Sequence, residues 1–527
     1  MIAILGLIFK LYSISEDENL NQTAVNQSTY KLSVEKFRGT IYDCNNNALV
    51  NNGSISTKAT ILPSVNSANI LHNILSTEEM NNIYSLLSSG KPFLIEFPKS
   101  ISMINNQDIQ CFNIQERYKD KSFCSHIIGY IDGYQKGVTG LELSYNDYLN
   151  DMDSEISVSY KVDALGRAIS EQNPKVKNTE YEKSKGVSLT IDKNIQEIVE
   201  NISKKYIKKG SVIVTEVPNC EIRAIMSLPT YSPLNLDEVL KDKNSTALFN
   251  RSLASYNLGS VFKLVTACAG LEDGINGEET YNCTGSVDVD GITFHCFDGT
   301  AHGEVNMEKA IAYSCNCYFI DLAKKMGYTD IYELAEDLGF NKELELAPQL
   351  SSSKGCLPEV AKLKQEAVMA NFSFGQAELL ATPIQVNGMI NAIVSGGIYQ
   401  NPKLVNGLLN SSFELVESNE DNISSEVISP WYTDKVKKYM ISAVEYGTAK
   451  EGKPSKFGAG AKTGTAQTGQ FKDGKEIIQC WYAGFYPAEK PKYVITVFAE
   501  DGTSPSHECA PVFKEITDNL QEYLTID

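Results

Sequence analysis

The chain is 527 residues long, too many for one ordinary hydrophobic core, so two or more domains are expected. Its 42% hydrophobic and 21% charged residues fit a globular protein and exclude wholesale disorder. A net charge of −19 argues against nucleic acid or an anionic lipid surface as the main partner, because nothing would neutralise the phosphates.

The first nine residues are apolar and Lys10 interrupts them. A membrane span needs about twenty apolar residues. A secretory signal needs a charged start and a small-residue cleavage site. Residues 1–14 therefore read either as the remnant of a longer anchor or as a short apolar strand. Residues 15–35 are rich in Asn, Ser, Glu and Thr and read as a flexible linker. "FRGTIYDCNNNALVNN" reads as strand, turn, strand. Short strands and helices follow to about residue 185, among them "STEEMNNIYSLLSS" with Ser76 as its cap. The charged segment 171–186 reads as an exposed loop or hairpin close to a boundary.

A strand in "VSLTIDK" then leads to an amphipathic helix from about Lys193 and a strand at 211–217. "NCEIRAIMSLP" pairs with that strand as a hairpin. A long helical stretch runs to about residue 440. "AGAKTGTAQ", "CWYAGFYP" and "KYVITVFAED" read as terminal strands, and "APVFKEITDNLQEYL" as a last helix. Strands thus flank a helical block, an α+β layout with one sheet assembled from distant segments. No internal repeat or low-complexity tract is present.

Three short motifs carry chemistry. In "SYNLGSVFK", Ser260 and Lys263 share a helix face, so the ammonium can reach the hydroxyl. A helix N-terminus at Ser260 would favour a developing alkoxide, and burial would lower the lysine pKa toward that of a base. The bland alternative is an ordinary helix cap, since Ser-x-x-Lys also occurs at Ser33 and Ser351. Ser314-Cys315-Asn316 comes next, and by itself it reads as a polar turn between helices. Lys462-Thr463-Gly464-Thr465 follows at the start of a strand. Gly464 there would let a substrate backbone approach, and Lys462, Thr463 and Thr465 could hold a carboxylate. The competing reading is an edge strand protected by lysine.

Three weak motifs in this order resemble the Ser-x-x-Lys, Ser-x-Asn and Lys-Thr-Gly set of penicillin-binding proteins and class A β-lactamases. The wider chain resembles a class B penicillin-binding protein, a monofunctional peptidoglycan D,D-transpeptidase. "RGTIYDCNNNALV" is similar to that family's N-terminal element, with Cys44 and Asn46 in place of Arg and Gly. "GVTGLELSYNDYL" is similar to its Gly-x-x-Gly-x-Glu element through Gly140 and Glu142. "LTIDKNIQ", "FSFGQAELLATPIQ", "VEYGTAK" and "WYAGFYP" also fit, and Leu258 stands where proline is usual.

The resemblance implies a penicillin-binding, serine β-lactamase-like α+β fold: a central antiparallel sheet flanked by helices, over residues 191–527. It implies an elongated, mostly β pedestal over 36–190, preceded by the linker and the anchor remnant. It implies a cell-membrane protein with a single-pass anchor and an extracytoplasmic catalytic domain. Ser260 would attack the D-Ala-D-Ala bond of a stem peptide, Lys263 would take its proton, and Ser314, supported by Lys462, would relay a proton to the leaving group. Asn316 would position Lys263 and the substrate. Thr463, Gly464 and Thr465 would bind substrate, and the N–H groups of Ser260 and Thr465 would form the oxyanion hole. β-Lactams would be covalent inhibitors, and no cofactor is implied. A membrane glycosyltransferase of the shape, elongation, division and sporulation family is the partner implied. Elongation, division and sporulation roles are not distinguished.

A serine β-lactamase would need a deacylating glutamate. "KELELAPQ" offers Glu343 and Glu345, but without the usual Glu-x-x-Leu-Asn arrangement. A β-lactam sensor would carry several membrane spans, and an idle scaffold would be expected to lose Ser or Lys. A Ser-His-Asp hydrolase is weaker still, with five histidines and no Gly-x-Ser-x-Gly.

Twelve cysteines spread through a long chain do not form a small disulfide scaffold, and they suggest a reducing or anoxic habitat. Cys283, His295, Cys296 and His302 precede Cys315 and Cys317. Cys and His are zinc ligands, but this spacing fits no familiar knuckle and a ligand at Cys315 would draw the catalytic loop into the site, so no metal is assigned. Buried free cysteines acting as small hydrophobes are the bland account. The sharper expectation is a redox pair, Cys296 and Cys315, whose disulfide would tether the Ser-x-Asn loop.

Overall fold

The computed structural model describes residues 28–524 apart from 98–103, 120–122, 151–153, 168, 170–172, 180–184, 419–423 and 473, together with residues 6, 9, 10, 12 and 17. Most of the anchor expected over 1–14 and most of the linker lie outside the described residues. Among the described residues no helix is long and apolar enough to cross a membrane. The linker expected over 15–35 ends earlier than drawn, because Thr29–Lys36 is a strand. Its alternating pattern buries Val34, and it pairs antiparallel with Glu155–Lys161.

The N-terminal half is built from two small sheets. Glu155–Lys161 lies between Thr29–Lys36 and the exposed strand Lys175–Asn178. Ile55–Ile61 lies between Phe93–Phe97 and Ile109–Gln115. Helices Val65–Ile74 and Thr77–Ser89 cover this second sheet through Leu71, Met80 and Ile83. Ser76 caps the second helix with a full capping box to Glu79.

A third sheet crosses the boundary drawn at residue 190. Thr40–Tyr42 runs parallel to Gly186–Leu189, which pairs antiparallel with Val405–Leu409 from the C-terminal half. The two halves therefore share backbone hydrogen bonds as well as an apolar seam containing Ile41, Leu141, Val187, Leu253 and Ile384. Beside it sits a buried ionic knot. Glu142 accepts from Arg38 Nε at 2.8 Å, Arg117 Nε at 2.6 Å and Tyr118 Oη at 2.9 Å. Burial alone would raise the Glu142 carboxyl, but Arg117 and Arg38 outweigh it and hold the carboxyl below its ordinary value.

The C-terminal half is organised by a five-stranded antiparallel sheet. Its spatial order is Glu221–Leu228, Gly210–Glu216, Tyr493–Gly502, Lys475–Tyr486 and Gly460–Lys472. Both faces are covered, so its strands are nearly continuous apolar runs. Trp481, Ala483 and Phe485 point into one core, and Cys480, Tyr482 and Tyr486 into the other. Helices Lys193–Tyr206 and Ala510–Leu520 pack on the second face. Helix Pro383–Val394 packs on the first, with every residue buried. Thr382 caps it with Gln385, and Pro383 supplies the fixed first turn. Gly460–Lys472 is left at the sheet edge.

Removing the Glu142 charge leaves two buried guanidinium groups uncompensated. Glu142→Ala is expected to cost about 3–5 kcal/mol of stability, read from the urea unfolding midpoint. Because the Glu142 carboxyl is depressed in the folded state, its contribution is present above the unfolded-state pKa and is lost as pH falls through the folded value. The gap between wild type and variant should therefore shrink in acid.

Candidate active site

The stretch "SYNLGSVFK" forms the short strand Tyr256–Asn257, a 3-10 turn Gly259–Phe262 and then helix Lys263–Glu272. Leu258, not Ser260, occupies the cap position, and no side chain caps the turn there. Ser260 is thus not a helix cap. The turn is pressed onto the strand Gly460–Lys472. A Cβ on Gly259 would lie 2.6 Å from the Thr465 carbonyl oxygen, and Gly259 has φ 62°. A Cβ on Gly464 would lie 2.9 Å from Val261 Cγ2 and 3.0 Å from the Leu258 carbonyl oxygen. The room expected at Gly464 for a substrate backbone is therefore filled by the Ser260 turn itself.

Lys263 begins the helix and is fully buried. Its Nζ donates to the Ser314 carbonyl oxygen at 2.7 Å, to Ser314 Oγ at 3.2 Å and to Asn316 Oδ1 at 2.6 Å. Burial lowers its pKa to about 8, against the opposing influence of nearby cysteines. Lys462 is equally buried, and its Nζ donates to Ser314 Oγ at 3.0 Å and to the Thr463 carbonyl oxygen at 2.9 Å. Burial, reinforced by the Lys263 charge, pushes its pKa well below the ordinary lysine value. Ser314 Oγ thus stands between two desolvated amines.

Ser314 reaches this position through a left-handed backbone, φ 59°, at the junction of helices Met307–Ala312 and Asn316–Met326. Asn316 is held from the other side, where its Nδ2 donates to the His295 carbonyl oxygen at 2.8 Å. Thr463 Oγ1 lies 2.8 Å from Thr448 Oγ1, and the Thr448 N–H donates to the Ala312 carbonyl oxygen at 2.9 Å. Thr465 faces Cys480 across the sheet and is partly open. Lys263, Ser314, Asn316, Lys462 and Thr463 are thus linked at one edge of the sheet, and the turn carrying Ser260 lies against Gly464 and Thr465, with no hydrogen bond from Lys263 Nζ to Ser260 Oγ among the described residues. Glu343 and Glu345 make no hydrogen bond to this group among the described residues, and Glu345 lies near Tyr145.

Three positioning contacts are not assigned by sequence reasoning. Thr448 buttresses Thr463, and only its place in "VEYGTAK" pointed to it. Gly375, in "FSFGQ", accepts the Gly259 N–H at 2.9 Å. Trp481 Nε1 donates to the Asn257 carbonyl oxygen at 2.9 Å and pins the chain as it approaches the Ser260 turn.

The cysteines are mostly buried. Among the described residues all twelve are free. Cys296 Sγ lies 3.8 Å from Cys315 Sγ, so the expected redox pair is adjacent but not bonded. It also lies 3.7 Å from Cys283 Sγ and 3.5 Å from Cys317 Sγ. Contact with Cys315 and Cys317 lowers the Cys296 thiol pKa, while contact with Cys296 and burial push the Cys315 and Cys317 thiols up. The groups converge from a strand end at Cys283, the start of a 3-10 turn at Cys296, a loop at His302 and a helix start at Cys315, so their spacing along the chain does not describe their spacing in the fold.

A family model of the penicillin binding protein transpeptidase domain matches residues 210–518. The chain is 26% identical over 515 residues to stage V sporulation protein D of Bacillus subtilis, covering 92% of this chain and 77% of that one. It is 27% identical over 312 residues to peptidoglycan D,D-transpeptidase PbpA of Mycolicibacterium smegmatis, covering 56% of this chain and 62% of that one. Among solved structures it is similar to penicillin binding protein 3 from Mycobacterium tuberculosis, solved with aztreonam. The TM-score is 0.66 and the identity 21%, covering 94% of this chain and 97% of that one. A penicillin-binding protein from Helicobacter pylori, solved with MreC, has TM-score 0.67 and 21% identity, covering 94% of this chain and 99% of that one. These structural likenesses show the fold.

A lysine whose pKa falls on folding weakens the folded state. For Lys263 that penalty is complete below pH about 8 and vanishes above the unfolded-state value of about 10.4. Between those limits wild type should gain stability relative to Lys263→Met, by up to about 3 kcal/mol. Paired urea titrations at pH 8 and pH 10 check this.

Proposed function

Because the chain belongs to the class B penicillin-binding proteins, we propose that its peptidoglycan D,D-transpeptidase reaction runs through Ser260. The observation that carries this reading is the pair of buried amines, Lys263 and Lys462, meeting at Ser314 Oγ next to the Ser260 turn.

Lys263 Nζ, poised near neutrality, takes the Ser260 proton as Oγ attacks the penultimate D-Ala carbonyl carbon. The N–H groups of Ser260 and Thr465 receive the oxyanion, and fixed donors of this kind are often the largest catalytic contribution. The C–N bond breaks and the leaving D-Ala amine takes a proton from Ser314 Oγ, which draws on Lys462. The amine of a second stem peptide then attacks the ester carbonyl and gives its proton to Ser314 and Lys462, while Lys263 returns the proton it holds to Ser260 Oγ as the ester C–O bond breaks. Asn316 holds Lys263 in line. Thr463, Gly464 and Thr465 lie on an edge strand, whose unpaired backbone can accept an extended peptide as an added strand. Thr463, Thr465 and Lys462 supply donors for the terminal carboxylate, the group that a β-lactam's carboxylate imitates.

We divide the chain into an N-terminal pedestal to about residue 190 and a transpeptidase domain beyond it, joined through the shared strand Gly186–Leu189. We place the protein at the cell membrane, held by a single-pass anchor, with a glycosyltransferase of the shape, elongation, division and sporulation family as partner. The apolar N-terminus and the family resemblance support this.

Labelling with a fluorescent penicillin, followed by intact mass, tests the reading. Wild type should form a long-lived adduct, and Ser260→Ala none. An adduct that disappears within seconds would instead favour a β-lactamase. The acylation rate should rise with pH as Lys263 loses its proton, with a midpoint near pH 8. A flat profile from pH 6 to 9 would remove Lys263 as the base.

A further inference from the structure

We propose that Cys283, Cys296, His302 and Cys315 form a structural zinc site that fastens the Ser-x-Asn turn to the neighbouring hairpins. The four ligand atoms all lie within 4.8 Å of one another, and the three cysteines are buried. A tetrahedral zinc with Zn–S of about 2.3 Å and Zn–N of about 2.0–2.1 Å sets S···S edges of about 3.8 Å and S···N edges of about 3.6 Å. The observed Cys283–Cys296 and Cys296–Cys315 sulfur separations are 3.7 and 3.8 Å, and Cys283 Sγ lies 3.5 Å from His302 Nδ1. The His302 ring lies 6.1 Å from the Tyr313 ring and 6° from parallel to it.

Other accounts explain less. A disulfide needs sulfur atoms about 2.05 Å apart, and it would pair two thiols while leaving the third and the imidazole unexplained. Thiols are weak hydrogen-bond donors, so hydrogen bonding alone gives little reason to gather them around an imidazole nitrogen. Soft thiolates with one imidazole select zinc over the hard cations. A closed set of three sulfurs and one nitrogen leaves no open position, which marks a structural and not a catalytic site.

The place in the fold supplies a need. Residues 281–305 form only two-stranded pairings, Tyr281–Cys283 with Gly303–Val305 and Ser286–Val289 with Ile292–His295. Two-stranded hairpins are marginal by themselves, and this region leaves Ile292 51% and Phe297 73% exposed. The second hairpin is held by a small apolar cluster, Val289 and Phe294 against Ile320, Ala370 and Phe374, and a metal adds to that small core. Binding Zn²⁺ releases three thiol protons to solvent and leaves a site of net charge −1. Cys315 lies between Ser314 and Asn316, so the ion fixes that turn from below while the His295 carbonyl oxygen holds Asn316. The consequence for acylation rests on the function proposed above, whereas the metal site does not. Cys317 lies against Cys296 at 3.5 Å and also faces Cys283, but its sulfur is outside the mutually close set of four and it is not assigned as a ligand.

The test uses the full chain purified without chelator. Elemental analysis should find one zinc per chain, and cobalt(II) substituted for it should give tetrahedral ligand-field bands with thiolate charge transfer. Cys283→Ser and His302→Ala should lose the metal, while Cys317→Ser and Ser260→Ala should keep it. Ser260→Ala also separates the two ideas, since it should lose penicillin labelling and retain zinc. Dialysis against chelator should lower the melting temperature of wild type and slow its acylation, and added zinc should restore both, so the result does not depend on any variant folding. Absence of zinc with no response to added metal, octahedral cobalt spectra, loss of metal in Cys317→Ser, or a Cys296–Cys315 disulfide in the native protein would each overturn the assignment.

Discussion

Two lysine amines are buried against one serine hydroxyl, and the rest of the catalytic half is arranged around keeping them there. Taking an ammonium group out of water costs several kcal/mol even after relaxation. Lys263 and Lys462 also repel one another when both are charged. A loose frame would let the amines retreat to solvent and recover ordinary pKa values. The frame is not loose: Phe319 and Trp481 are fully buried, and helix Pro383–Val394 has no exposed face. Dense packing of this kind resists relaxation. The same burial that weakens the fold supplies an amine able to accept a proton near neutral pH.

Placement of the nucleophile follows from contact distance. The Ser260 turn can lie on the edge strand only because Gly259 and Gly464 carry no side chains at the crossing. The register of the sheet then places Lys462, Thr463 and Thr465 along that strand, with Trp481 and Tyr482 facing opposite cores on its neighbour. One strand therefore serves as sheet edge, support for the Ser260 turn and source of the second lysine.

Elsewhere the chain holds small elements together by different means. The junction of the halves uses the knot around Glu142, where one carboxylate satisfies two guanidinium groups and a phenol. The hairpins beside the Ser-x-Asn turn have a small apolar cluster around Val289 and Phe294 and gather thiols and an imidazole beside it. Both devices join segments far apart in the chain, and both reach toward loops that would otherwise be held by hydrogen bonds alone.

Much was legible in the sequence because local rules carry it. The amphipathic helix from Lys193, the Ser76 cap, the hairpin after residue 210 and the three-motif order depend on periodicity and short-range chemistry. Tertiary structure alone decided what depends on strand register and on segments meeting in space. It gave the room at Gly464 to the Ser260 turn, shared the strand Gly186–Leu189 between both halves, and brought Thr448 to Thr463. It also assembled the cysteine cluster, whose spacing along the chain looked unlike a metal site because its members arrive from a strand end, a 3-10 turn, a loop and a helix start. A sequence specifies which groups are available and the local conformations they prefer. Distances between remote groups are set only when the sheet and its two cores close, since that is where most of the apolar surface is removed from water.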